Sequence, residues 1–368
     1  MGVLCKVRLY RPPNGIFVPG GVVAGVINYS VDSPLPVKSI VVSLNGVGRV
    51  LIEEKQNKQT VTYVADENYV TIEHNMLGKQ SDYIIPVGSH EIPFKFVLPL
   101  NIPASFNYAK SRLNRFTVCK IGYFVVIRFA RPGILNFDKK YQQELVVVRG
   151  IAVEPRRPTE LMIHGDKKKL TQFLKNNSVK LKAIMPTSVI PHGGTVRLEY
   201  EVENDSNLEI KSVKAIMMEM LTFTTGHLEE KHYKEIPNTE TTSGPIAARL
   251  TEKVPISMTL PQEAISYEYS NIVCRDYVIM ITVVLPWPHR NLIVQVPFQV
   301  GNKPTEGNTE PEVYADSIDS DDDHDSPPSY WEAMAEVNDN AGYFIFFNYS
   351  FYQTLALEGE KATSGCYF

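Results

Sequence analysis

The sequence predicts an all-β protein: two tandem antiparallel β-sandwiches followed by a disordered acidic tail. Three observations carry this. Apolar residues recur at every second position, as in Val196, Leu198, Tyr200 and Val202 set between Arg197, Glu199 and Glu201, which is the period of a strand with one buried face. The chain repeats itself across its two halves. Beyond Gly301 the composition turns to "NKPTEGNTEPEVYADSIDSDDDHDS", acidic and nearly free of core-forming residues.

The repeat fixes the domain organisation. The stretch Gly20 to Ile40 lies over Gly193 to Val213 without a gap. Both carry Gly-Gly, then Asp-Ser-x-Leu (Asp32, Ser33, Leu35; Asp205, Ser206, Leu208), then Lys-Ser (Lys38, Ser39; Lys211, Ser212). Downstream, "PFKFVLP" from Pro93 matches "PISMTLP" from Pro255 in both prolines and in the leucine before the second. Each half then closes with an apolar run, "GYFVVIRFA" or "DYVIMITVVL", and a last strand, "ELVVV" or "NLIVQVPFQV". Such self-similarity reads as one domain duplicated. Gly, Pro, Asn and Asp punctuate both halves at short intervals and helical periodicity is nearly absent, so sandwiches are favoured over an α/β sheet. Pro93, Pro99, Pro255 and Pro261 are expected at strand ends or on edge strands, where a missing N–H breaks no ladder. The expected boundaries are 1–152 for the first sandwich, 153–169 for a stiff linker around "VEPRRPTEL", 170–301 for the second, and 302–368 for the tail.

Composition excludes several functions. A net charge of -4 over 368 residues gives no basis for nucleic acid as the main partner. Cys5, Cys119, Cys274 and Cys366 stand far apart without a CxxC pair, so neither a disulfide framework nor a zinc knuckle is expected, and isolated thiols fit a reducing cytoplasm. "YVIMITVVLPW" is too short to span a bilayer as a helix. Lys6 stands where a myristoylation motif wants Ser or Thr. No Walker A loop, GxGxxG, HExxH or GxSxG string is present, and no enzyme, metal or cofactor is expected. His227 and His232 in "HLEEKH" are read as polar residues of a loop, at a spacing that suits no zinc pair. Cys274 is read as an inert thiol at the entry to an apolar strand.

The tail holds the strongest motif. Pro327, Pro328 and Tyr330 in "DSPPSYWEAM" form PPxY: two prolines pre-set a polyproline II helix for the aromatic grooves of a WW domain, and the tyrosine fills a second pocket. "WEAMAE" after it suits either one helical turn or a plain solvated chain. Ser317 and Ser320 sit among acids in a context that acid-directed kinases accept, although the run also serves simply as a charged spacer. The aromatic stretch "GYFIFFNYSFY" is expected to dock on a sandwich edge or a membrane, because left exposed it is an aggregation hazard.

Tandem sandwiches, the phrase "HEIPFKFVLPLNIPASF", the closing "NLIVQVPFQVG" and the "PPSYWEAM" tail together resemble the arrestin family, and within it the α-arrestins, or arrestin domain-containing proteins. The resemblance implies two arrestin-like, immunoglobulin-type β-sandwiches. It further implies an adaptor that binds membrane receptors or transporters as cargo and recruits WW domains of Nedd4-class HECT ubiquitin ligases, promoting cargo ubiquitination and endocytosis. Such a protein works in the cytoplasm, with recruitment to plasma membrane and endosomes. Lys6 and Arg8 alternate with Val7 and Leu9, so both cations share one strand face. A similar basic first strand touches acidic cargo tails in arrestins; a plain solvated face is the other reading. Lys167, Lys168 and Lys169 are candidates for anionic headgroups in peripheral membrane association. A second function implied by the resemblance is redox- or signalling-linked binding of the thioredoxin-interacting type, without ligase recruitment. The chain departs from the family in having one PPxY where many members carry two, and in its last segment.

Overall fold

A computed structural model describes residues 3–12, 15–56, 59–78, 83–133, 138–148, 162–169, 178–267 and 269–301. The first half forms β1 (Val3–Leu9), β2 (Val22–Val31), β3 (Leu35–Val37), β4 (Ser39–Gln56), β5 (Gln59–Asn75), β6 (Tyr83–Ile85), β7 (Gly88–Val97), β8 (Phe106–Arg112), β9 (Arg115–Ala130) and β10 (Lys139–Leu145). The second forms β11 (Met162–Lys169), β12 (Ser178–Met185), β13 (Val189–Ile190), β14 (Thr195–Asn204), β15 (Ser212–Thr225), β16 (Leu228–Glu235), β17 (Thr241–Thr242), β18 (Thr251–Thr259), β19 (Val273–Val284) and β20 (Leu292–Val300). The described residues contain no helix, in keeping with the strand period read from the sequence.

The duplication is visible in the topology. One sheet of the first sandwich runs β1-β2-β7 and its partner β10-β9-β4-β5; the second repeats these as β12-β14-β18 and β20-β19-β15-β16. The gapless repeat therefore carries β2 onto β14 and the start of β4 onto the start of β15. Gly20 and Gly193 both adopt a positive φ, 79° and 64°, at the tight turn that feeds these strands, a conformation natural to glycine. The next glycine makes the same bonds in each half. Gly21 N–H donates to Val18 O and Gly194 N–H to Pro191 O, while Leu98 N–H donates to Gly21 O and Leu260 N–H to Gly194 O. Gly25 has a different reason to be glycine: a Cβ there would stand 2.1 Å from the Arg8 carbonyl. Pro93 and Pro255 lie in β7 and β18, the outer strands of their sheets, and Pro99 and Pro261 follow those strands, all as expected.

Burial follows the alternation. In β14 Val196, Leu198, Tyr200 and Val202 are buried while Arg197 and Glu199 are exposed. Each sandwich encloses a core, and the two cores differ in one respect. That of the first includes Leu221, Phe223, Tyr267, Ile272 and Val273, which belong to the second half of the chain. The second core draws only on its own half.

One boundary is corrected. Residues 153–169 were expected to be linker, yet Met162–Lys169 form β11, paired antiparallel along the whole of β12 from Met162↔Met185 to Lys169↔Ser178. "MIHGDKKK" lacks apolar alternation because it is an outer strand, a place that tolerates lysine and even benefits from it as a guard against edge-to-edge pairing. The remainder of the linker, 153–161, and the tail, 302–368, lie outside the described residues.

Candidate functional site

Among the described residues, two regions gather charged and hydrogen-bonding side chains. The first is the outward face of β1. Its pattern alternates, with Val3, Cys5 and Val7 buried and Leu4, Lys6 and Arg8 exposed, so the two cations share one face as the sequence predicted. β2 lies opposite, with Lys6 against Asn28 and Arg8 against Val26. Two strands away on the same face, Lys95 of β7 pairs with Ala24 and Glu91 with Asn28. Lys6, Arg8 and Lys95 outnumber Glu91, giving a modest basic face suited to an acidic segment.

The second region is the seam between the sandwiches, which the sequence reading did not single out. At one end Glu67 of β5 accepts four hydrogen bonds. Tyr69 Oη–H donates to its Oε2 at 2.8 Å, Ser270 Oγ–H at 3.2 Å and Asn271 N–H at 3.0 Å, while Asn271 Nδ2–H donates to Oε1 at 2.7 Å. Three of the donors come from the second sandwich's side of the seam. Beside this clasp the Tyr267 hydroxyl donates to the Ala104 carbonyl, and its ring packs 5.3 Å from that of Phe106. Burial pushes the Tyr69 and Tyr267 hydroxyls up, so both stay protonated and able to donate.

Further along, β8 meets β16. Tyr108 Oη lies 2.5 Å from His232 Nδ1, and His232 Nε2 lies 2.7 Å from Glu230 Oε1. His232 and Glu230 are 3% and 5% exposed. Burial first, and then the charges of Arg112 and Lys110, hold the His232 pKa below its ordinary value although Glu230 acts in the opposite sense. Arg115 stands 4.0 Å from Glu230 and donates to Glu54 at 2.8 Å, holding that carboxyl below the usual range. Glu54, Arg112, Arg115, Glu229, Glu230 and Lys231 line a cleft of about 400 Å³ here.

His227 lies in the turn between β15 and β16, as expected of a loop residue. The reading of His232 as a loop residue is corrected: it is buried in β16, two places from Glu230 and on the same face. The signal lay in the duplication, since a second half built like the first needs a partner for β15 after the turn at Gly226. Cys5 and Cys119 are buried, which pushes both thiols up to about 12. Cys274 is half-buried and its Sγ lies 3.3 Å from Asp276 Oδ2. Pro327, Pro328, Tyr330, Ser317, Ser320 and Cys366 lie outside the described residues, as do the side chains of Lys167, Lys168 and Lys169. Among the described residues no group of His, Cys, Asp and Glu is placed to hold a metal, and no helix is long and apolar enough to cross a membrane.

Two sandwiches of one topology, joined by a hydrogen-bonded seam and presenting a basic strand face, define a tandem β-sandwich binding protein. Comparison with known families gives the class its name. Residues 5–154 match Arrestin (or S-antigen), N-terminal domain, and residues 175–305 match Arrestin (or S-antigen), C-terminal domain, so the chain belongs to the arrestin family. Among curated proteins it is similar to arrestin domain-containing protein 1 of Homo sapiens, 24% identical over 221 residues covering 56% of this chain and 45% of the relative. The same protein of Mus musculus is 22% identical over 223 residues, 54% of this chain and 50% of the relative. Arrestin domain-containing protein B of Dictyostelium discoideum is 22% identical over 225 residues, 60% of this chain and 33% of the relative. The chain thus spans about half the length, or less, of the relatives it matches. Arrestin-family proteins are generally non-enzymatic adaptors.

Proposed function

We propose that this protein is an adaptor between membrane cargo and the ubiquitin system. Its two sandwiches bind a receptor or transporter, and Pro327, Pro328 and Tyr330 recruit the WW domains of a Nedd4-class HECT ubiquitin ligase, so that the cargo is ubiquitinated and endocytosed. The observation that carries the reading is the PPxY string placed, after a short acidic stretch, behind the tandem arrestin N- and C-terminal domains. The exposed Lys6 and Arg8 support it by offering an acidic cytoplasmic tail a surface of opposite charge. Such an adaptor works in the cytoplasm and is drawn to plasma membrane and endosomes by its cargo. Phosphorylation at Ser317 or Ser320 would add charge next to the motif and tune it.

A single WW contact is weak, roughly micromolar, so productive recruitment needs cargo clustering or a second contact. Titrating the full-length protein with a WW-domain array tests the recruitment step. Tyr330→Ala should weaken binding roughly thirtyfold, the loss of about 2 kcal/mol that marks an interface hot spot. Equal binding by both proteins, or none by the unchanged one, overturns the reading.

A further inference from the structure

The seam contains a buried histidine that neither the fold nor the adaptor reading uses. His232 is fixed at both ring nitrogens, by Tyr108 of the first sandwich at 2.5 Å and by Glu230 of its own strand at 2.7 Å. The rings of Tyr108, at 5.4 Å, and Phe223, at 5.3 Å, pack beside it, and the side chain is 3% exposed. A carboxylate only accepts, so Nε2 carries the hydrogen toward Glu230, which leaves Nδ1 bare to accept the Tyr108 O–H. In the neutral imidazole the hydrogen bond that crosses the seam therefore runs from Tyr108 Oη–H to Nδ1.

We infer that His232 is a proton-operated latch between the two sandwiches: neutral, it ties β8 to β16 at full strength, and protonated, it holds them less tightly because a charge is then buried beside the cations of β8. The groups around it set the sense of the response. Protonation places a hydrogen on Nδ1, so the seam bond reverses: Nδ1–H donates to Tyr108 Oη, whose own O–H turns away and loses its acceptor. Lys110 and Arg112 follow Tyr108 at alternate positions of β8 and so share its face, bringing two cations toward the new charge. Glu230 favours the imidazolium, but its other oxygen already faces Arg115 at 4.0 Å, and Arg115 is in turn tied to Glu54 of β4. Burial raises the Tyr108 hydroxyl pKa, as does Glu219 from β15, which is itself paired with Arg275 at 2.9 Å. Burial together with Arg112 and Lys110 outweighs Glu230, and the His232 pKa lies below its ordinary 6.5. In an opened seam the ring is hydrated and recovers that ordinary value. The closed form thus takes up a proton less readily than the open form. The latch holds fully above about pH 6.5 and weakens as the pH falls below it. Glu230 also lines the cleft beside the pair.

The test is made on the full-length protein and does not depend on cargo or ligase. Amide exchange across 106–112 and 228–235, corrected for intrinsic rates, is followed between about pH 7.5 and 5.5 beside an NMR titration of the His232 imidazole. Protection of both strands should fall together by about threefold or more on acidification, with the imidazole titrating below 6.5. His232→Gln should abolish the pH response. The exposed pair Lys110→Gln and Arg112→Gln should raise the imidazole pKa and shrink the response, an arm that stands even if His232→Gln folds poorly. An imidazole that titrates at 6.5 or above, a response unchanged in the Lys110→Gln/Arg112→Gln protein, or one that persists in a folded His232→Gln protein overturns the latch.

Discussion

Ser105 in the first sandwich and Ser266 in the second make the same pair of bonds. Each donates its N–H to the closing segment, Ser105 to Val147 O at 2.7 Å and Ser266 to Val300 O at 2.9 Å. Each also accepts on Oγ from the N–H of that same residue, at 3.0 and 2.9 Å. The closing segments correspond further: Phe17 bridges Val147 in parallel as Ile190 pairs with Val300. At the seam the likeness stops. The first sandwich sends a hairpin of 18- and 17-residue strands, β4 and β5, where the second sends strands of 14 and 8, β15 and β16. The gapless sequence match likewise ends at Ile40 and Val213, at the start of these hairpins. Duplicated residues therefore close each sandwich on itself, whereas the residues that join the sandwiches lie where the halves have diverged.

The largest way to break this comparison is to remove a side chain that one half lends to the other. Phe223 belongs to β15 but is fully buried in the first core. Phe223→Ala should cost about 3–5 kcal/mol, the range for deleting a buried aromatic ring. Calorimetry and exchange should show both sandwiches weakened; destabilisation confined to the second would mean that they fold independently. Next comes the clasp. Glu67→Gln keeps the shape but gives up the charge that four donors share, and because the site is partly exposed the loss should be about 1–2 kcal/mol. The change should appear as increased exchange at the seam, at Asn271 above all, with neither core affected.

A smaller effect sharpens the likeness. Ser105→Ala and Ser266→Ala each remove one acceptor of a closing-segment N–H, and each should cost about 1 kcal/mol in chemical denaturation. Values that differ by more than about twofold would show that the shared geometry hides unequal roles. Smallest in stability is the basic face. Lys6→Ala with Arg8→Ala should stay within about 0.5 kcal/mol of the unchanged protein, since both side chains are exposed. Binding of an acidic peptide should nevertheless weaken and lose its salt dependence.

The sheets were legible in the sequence because burial on one face imposes a period of two, and because a duplication states the same pattern twice. The exposed face of Lys6 and Arg8 follows from the same rule. β11 was hidden since an outer strand need not alternate, and its lysines read as linker. The seam was hidden for another reason. Glu67 and Asn271, or Tyr108 and His232, meet only after two domains have folded and docked, and nothing local marks a glutamate or histidine as the partner of a residue so distant in the chain. His232 beside Glu230 in "HLEEKH" had a legible half: read as a strand, residues two apart share a face.

Under the proposed function the folded sandwiches hold cargo and the PPxY string holds the ligase, so a single change should separate them. Affinity capture from cells with the intact protein and with Tyr330→Ala, scored for HECT ligases and for membrane proteins, tests this division. Tyr330→Ala should lose the ligases and keep the same membrane proteins. Retention of the ligases, or loss of the membrane proteins along with them, would contradict it.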